Sequence, residues 1–273
     1  MRLFRRRAGR PRLVHRYGPH PDQFVEVSFP GGRTPAPVAV VLHGGFWRAA
    51  YGIELARPLA ADLAAAGWVA VAVVYRRVGA GGGWPATLED VAAALDALPG
   101  LPGADRVDLS DLTVVGHSAG GHLAAWAAGR HLLPAGAPGA APRVRVGTAV
   151  LQAGVLDLAD ADRDGLGGGA VRDFLGGPLA DVPERLASAD PVRLLPTGAR
   201  VLCVHGVGDD VVPVRQSERY AAAARAAGDV VEVRVVAGDH MVLIEPGEPP
   251  WQLARDWLVR SHRERRAGLP WKA

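Results

Sequence analysis

This 273-residue sequence predicts an α/β fold built on a mostly parallel sheet with helices on both faces. Three observations carry that expectation. Short β-branched runs alternate with alanine-rich stretches of helical length, the pattern of strands buried on both sides by crossover helices. One run ends in Gly116-His117-Ser118-Ala119-Gly120, and a stretch of small residues with helical character follows at once. Two later runs each lead into a loop carrying an acid or a histidine. Such loops lie at the carboxyl ends of strands, where parallel sheets gather their ligand sites.

Residues 24–29 read as a strand closed by Pro30-Gly31-Gly32, and residues 37–42 as a second that runs into His43-Gly44-Gly45. Residues 53–66 predict a helix with Gly67 past its C-terminal end, where a left-handed residue is commonly needed. A buried strand at 68–75 and a helix at 85–98 follow, the helix with Pro85 at its start and Pro99-Gly100 after it. Further strands are expected at 112–116, 144–151, 201–205 and 230–236, and helices at 215–227 and 251–263. Between residues 155 and 200 the periodicity breaks down into an acidic stretch, a glycine run and four prolines. An insertion of this length in a compact domain suggests a cap over a site.

Bulk composition narrows the class. Hydrophobic residues make up 49% and charged residues 22%, ordinary values for a globular domain, and no apolar run reaches the roughly 18 residues of a membrane span. Seven arginines fall in the first 16 residues with no acid among them; removing that +7 from the net +3 leaves −4 on the remainder. The basic character is therefore confined to residues 1–16, expected to be a disordered tail, and no nucleic-acid partner is expected for the body. Residues 17–273 are expected to form one domain with a cap-like insertion at 155–200. No apolar core follows the arginines as a secretory signal requires, and Cys203 is the only cysteine, which excludes an intrachain disulfide. A cytoplasmic location is the expectation.

Ser118 is the candidate nucleophile. A strand-to-helix turn flanked by glycines pushes the serine hydroxyl above the sheet edge, and the helix N-terminus presents free N–H groups where negative charge would develop. A serine hydroxyl needs a base to remove its proton, and the base needs a carboxylate to hold its tautomer. On a strand–turn–helix serine the expected chain order is serine, acid, histidine. His240, after the last strand, satisfies it. His15, His20 and His131 carry no partner signal, and His43, His117 and His205 adjoin strand ends before the acid loop is complete. His122 points away on the following helix, and His262 is expected to be solvated. For the acid, Asp209 and Asp210 compete because adjacent side chains diverge, and Asp157 is a third candidate. Backbone donors for an oxyanion are expected at Ala119, after the nucleophile, and at Gly45 and Phe46, where adjacent glycines can turn amides inward. Trp47, Trp84 and Met241 are candidate substrate contacts, with Arg76 or Arg77 as a possible carboxylate anchor.

With these residues assigned, the chain from Tyr17 to the final helix resembles the α/β-hydrolase superfamily. His43-Gly44-Gly45-Phe46-Trp47 resembles the His-Gly-Gly-x-Trp motif of kynurenine formamidases and related small esterases. His205-Gly206-x-x-Asp209-x-x-Val212-Pro213 is similar to the acid loop of that group, which favours Asp209. Phe46 stands where the hormone-sensitive-lipase branch has a third glycine. The resemblance implies an eight-stranded, mostly parallel sheet, no metal and no organic cofactor. It further implies a serine hydrolase of small carboxylic esters, with an arylformamidase as the alternative on the same residues and a catalytically silent binding module as the alternative of another class.

Overall fold

A computed structural model of the chain describes residues 12–32 and 34–269. Eight strands form one sheet in the order β1-β2-β4-β3-β5-β6-β7-β8. They are β1 (Leu13–Arg16), β2 (Phe24–Ser28), β3 (Ala36–Leu42), β4 (Val69–Val74), β5 (Val107–His117), β6 (Val146–Gln152), β7 (Arg200–Gly206) and β8 (Val231–Val236). The pairs β1/β2 and β2/β4 are antiparallel; every pair from β4 to β8 is parallel. The long helices are α1 (Arg57–Ala65), α2 (Ala86–Asp96), α3 (Ala119–Gly129), α7 (Arg215–Ala226) and α8 (Pro249–Arg266). Three short ones, α4 (Leu158–Arg163), α5 (Leu166–Leu175) and α6 (Pro183–Ala189), lie between β6 and β7.

Alternation along each strand divides the core into two layers. In β3, Val38, Val40 and Leu42 join the cluster beneath α2, α3 and the short helices, whereas Ala39 and Val41 join the cluster beneath α1 and α8. Strands buried on both faces need apolar residues at consecutive positions, which is why β4 reads Val-Ala-Val-Ala-Val-Val. Each fully buried Val or Leu contributes roughly 1.5–3 kcal/mol, so this double layer is the main stabilising term. Every residue of α3 is buried.

The structure corrects several boundaries. Residues 13–16, assigned by charge to a disordered tail, form the edge strand β1, with Leu13 opposite Val27 and Arg16 opposite Phe24. Leu13 and His15 face inward while Val14 and Arg16 are exposed, so the basic side chain costs the sheet nothing. Arg12 also pairs with Glu26 at 3.0 Å. The rest of the arginine-rich stretch, residues 1–11, lies outside the described residues. The helix expected at 53–66 is split into a 3-10 turn (Ile53–Leu55) and α1, because Pro58 enters at the first turn, where its missing N–H is harmless. Strand β5 starts five residues earlier than expected: Val107 and Asp108 pair with Ala36 and Pro37 before a bulge, in a half-exposed polar segment that carries no alternation. His262, expected in solvent, is mostly buried, with its ring centroid 5.3 Å from that of Trp68 and Nδ1 3.9 Å from Asp111.

Candidate active site

Ser118 ends the run of β5 and caps α3 with φ 56° and ψ −121°, a left-handed conformation that a residue with a Cβ adopts only when its surroundings impose it. The glycines of the motif are what impose it. A Cβ on Gly116 would lie 2.0 Å from the carbonyl oxygen of Gly120, and one on Gly120 would lie 2.1 Å from that of Leu42, so the turn closes only with hydrogens at both positions. The Ser118 N–H donates to the Gln152 carbonyl at 2.8 Å, which fixes the turn to β6.

The loop after β7 supplies Asp209, whose side chain is fully buried while Asp210 is exposed. Asp209 Oδ1 accepts the amides of Val211 and Val212 at 2.9 and 2.8 Å, and Oδ2 accepts from His240 Nδ1 at 2.7 Å. Burial alone would raise this carboxyl. Hydrogen bonds from His205, His240 and the Val212 amide outweigh it and hold Asp209 well below the usual carboxylate range. Asp209 rather than Asp210 is therefore the partner of His240, and Asp157 is engaged elsewhere, with Arg219 at 2.7 Å. With Nδ1 bound to a carboxylate, Nε2 of His240 is the nitrogen available to take a proton. His240 stands over the serine turn: its ring centroid is 4.4 Å from that of His117, the residue preceding Ser118.

The loop after β3 completes the arrangement. Gly45, Phe46 and Trp47 all have positive φ (108°, 51° and 57°). A Cβ on Gly44 would sit 2.9 Å from Ser118 Cβ, so this loop runs directly beside the serine. The Gly45 and Phe46 N–H groups donate to no protein acceptor among the described residues. Ala119 opens α3, where an amide has no intrahelical partner. Tyr75 anchors the loop, its hydroxyl donating to the His43 carbonyl at 2.7 Å and its ring stacking on His43 at 4.5 Å. Burial pushes the His43 imidazole down to about 4.

Several expected substrate contacts are otherwise employed. Trp47 is fully buried; its ring stacks on Phe174 of α5 at 4.6 Å and its indole N–H donates to His122 Nδ1 at 3.1 Å. His122 in turn donates from Nε2 to the Ala189 carbonyl at 2.9 Å. The tryptophan of the motif thus fastens the loop to α5 and α6 and does not face a ligand. Trp84 is half-buried, with its indole N–H on Ser188 Oγ at 3.2 Å and the Arg185 guanidinium over its ring at 4.9 Å. Arg76 is held by buried Asp90, and Arg77 by Asp22 and the Tyr51 carbonyl, which removes both as carboxylate anchors. Met241 is exposed beside His240. Among the described residues no group of three His, Cys, Asp or Glu side chains is placed to hold a metal ion.

One contributor's role was not read from sequence. His205 lies beneath Asp209: Nε2–H donates to the Val212 carbonyl at 2.8 Å and lies 3.3 Å from Asp209 Oδ2, while Nδ1 accepts from Ser217 at 2.8 Å. The signal was its spacing, four residues before the acid at the end of a strand. Phe46, expected as a backbone donor, also lays its ring against α5, where a Cβ on Gly167 would come within 2.5 Å of it.

A mostly parallel eight-stranded sheet with a strained serine after β5, an acid after β7 and a histidine after β8 defines an α/β-hydrolase. The profile of the BD-FAE family matches residues 27–223, and the chain belongs to that family of α/β-hydrolases. Among curated proteins it is similar to esterase LipQ of Mycobacterium tuberculosis, 29% identical over 82% of this chain and 58% of LipQ. It is also similar to the probable carboxylic ester hydrolase LipM of the same organism, 32% identical over 68% of this chain and 44% of LipM. The chain thus spans about half the length of the curated relatives it matches. A truncated carbohydrate esterase from gut microbiota shares the fold, with a TM-score of 0.78 at 20% identity over 90% of this chain and 94% of that one.

Proposed function

We propose that the chain is a serine hydrolase that cleaves small carboxylic esters through an acyl-enzyme. The observation that carries this reading is the 2.7 Å bond from His240 to buried Asp209, mounted beside the strained turn of Ser118. Ser118 Oγ attacks the ester carbonyl while His240 Nε2 takes its proton; Asp209 offsets the charge that forms on the imidazole. The developing oxyanion lies among the amides of Ala119, Gly45 and Phe46, each such donor commonly worth about 10²–10³ in rate. His240 returns the proton to the leaving alcohol, and water, activated by the same histidine, releases the acid. Met241 borders the entrance, and residues 155–200 serve as a cap whose α5 closes on Phe46. The esterase names carried by the relatives LipQ and LipM support this reading.

A second reading, an arylformamidase acting on an N-formyl amide by the same steps, is favoured by the His43–Trp47 motif. The commitment of Arg76 and Arg77 to Asp90 and Asp22 weighs against it, because a kynurenine-like carboxylate loses its nearest anchors. A panel of p-nitrophenyl esters of rising acyl length, run beside N-formylkynurenine, separates the two. Turnover of short-chain esters with none of the formamide is the expected result; preferred turnover of the formamide would reverse the order.

A further inference from the structure

His117 and Gln152 take no part in the chemistry above, yet both are buried polar side chains at the carboxyl ends of adjacent strands. They are register partners, the last paired rung of β5 and β6. Partners in a rung present their side chains to the same face of a sheet. Here both reach the loop after β8. His117 Nε2–H donates to the main-chain carbonyl of His240 itself at 2.9 Å, and Gln152 Nε2–H donates to the carbonyl of Leu243. Leu243 belongs to the 3-10 turn Val242–Ile244, so the loop is gripped at its histidine and again three residues on.

The rung is also joined to the nucleophile. His117 is bonded through the chain to Ser118, and the main-chain carbonyl of Gln152 accepts the Ser118 amide at 2.8 Å. The loop's other attachments, Gly208 N–H to the Gly238 carbonyl at 2.9 Å and Nδ1 to Asp209, tie it to the acid and not to the serine. Packing does not account for the polar identities. His117 Nδ1 and Gln152 Oε1 are both buried without a hydrogen-bond partner among the described residues, a desolvation cost that an apolar residue of the same size avoids.

We propose that His117 and Gln152 are positioning residues, two side-chain N–H groups from one rung of the sheet that hold His240 over Ser118. Burial pushes the His117 imidazole down to about 3, so the ring stays a neutral donor across the working range. A neutral ring is also what a neighbour of His240 must be, since His240 carries a positive charge once it has taken the serine proton.

The inference rests on the serine-hydrolase reading, and its test keeps the two apart. Labelling by a fluorophosphonate, retained in the wild type and lost in Ser118→Ala, checks that reading first; no labelling of the wild type would overturn both. The steady-state rates of His117→Phe, His117→Gln and Gln152→Met on p-nitrophenyl acetate then test the rung, with circular dichroism melts to establish that each variant folds. A small misplacement of a reacting group commonly costs about 10²-fold. The expected result is a kcat lowered by about 10- to 100-fold in His117→Phe and Gln152→Met with KM changed by less than about twofold. His117→Gln, which keeps an N–H near the position of Nε2, recovers most of the loss. Labelled, folded variants that retain wild-type kcat would overturn the proposal, as would a His117→Gln no better than His117→Phe. If His117→Phe does not fold, Gln152→Met against the wild type decides the matter by the same kcat criterion.

Discussion

At the scale of single residues, adjacent Asp209 and Asp210 differ in what their carboxylates touch. The two oxygens of Asp209 accept two amides and the His240 ring, while Asp210 points to solvent. Asp209→Asn leaves the ring without a charge to offset its own and can reverse its tautomer. A loss of about 10⁴ in kcat is expected, against less than about tenfold for Asp210→Asn, measured on one ester under saturating conditions. Equal losses would remove Asp209 from its role. A pH effect follows from the same bonds. A carboxyl held below its ordinary value binds fewer protons folded than unfolded, so its contribution to stability is complete above about pH 4 and is lost as pH falls through the lowered value. Thermal melts of the wild type should therefore decline more steeply below about pH 4 than those of Asp209→Asn. Order along the chain and position after strand ends single out Ser118, Asp209 and His240 in the sequence, and the structure pairs the last two and places Ser118 at a strained turn. The role of Trp47 was not legible: a loop aromatic beside a glycine pair reads the same whether it faces a ligand or packs inward, and only Phe174 and His122, far away in sequence, decide it.

At the scale of elements, the glycine run opening α5 decides how closely it approaches the loop after β3. Gly167, Gly168 and Gly169 are all left-handed, at φ 60°, 63° and 86°. A Cβ on Gly167 meets the Phe46 ring at 2.5 Å, whereas one on Gly168 meets nothing within 4 Å. Both substitutions to Ala carry the left-handed penalty of about 1–2 kcal/mol, visible as a similar fall in melting temperature. Gly167→Ala alone should also displace Phe46 and lower kcat/KM; equal activities in the two variants would show that the contact has no bearing on turnover. Asp190, which precedes β7 and binds the first amide of α4 at 3.0 Å, offers a second test. Burial pushes its carboxyl up to about 7. The folded state then binds more protons than the unfolded chain between about pH 4 and 7, so stability falls as pH rises through that window. Asp190→Asn keeps the acceptor for Leu158 and removes the slope, so its melting temperature should gain on the wild type from pH 4 to 7; a gain in the opposite direction would contradict the assignment. The strands and long helices of this region were readable from period and length. The three short helices were not, because prolines and glycines break their pattern and packing on Trp84, Trp47 and α7 holds them in place.

At the scale of the whole molecule, the parallel order from β4 to β8 brings residues 45, 118, 209 and 240 to one edge. The class of fold was legible because strands buried on both faces must be apolar throughout, and few arrangements satisfy that over five strands. The edge strand β1 escaped because it is buried on one side only and lies among arginines. The central claim, that a sheet edge assembles a nucleophile from three distant loops, has one direct test. A fluorophosphonate is reacted with the purified protein and the adduct is located by mass spectrometry of its peptides. The account predicts one adduct per chain, on Ser118, forming orders of magnitude more slowly in His240→Ala; an adduct on any other residue, or an unchanged rate without His240, would contradict it.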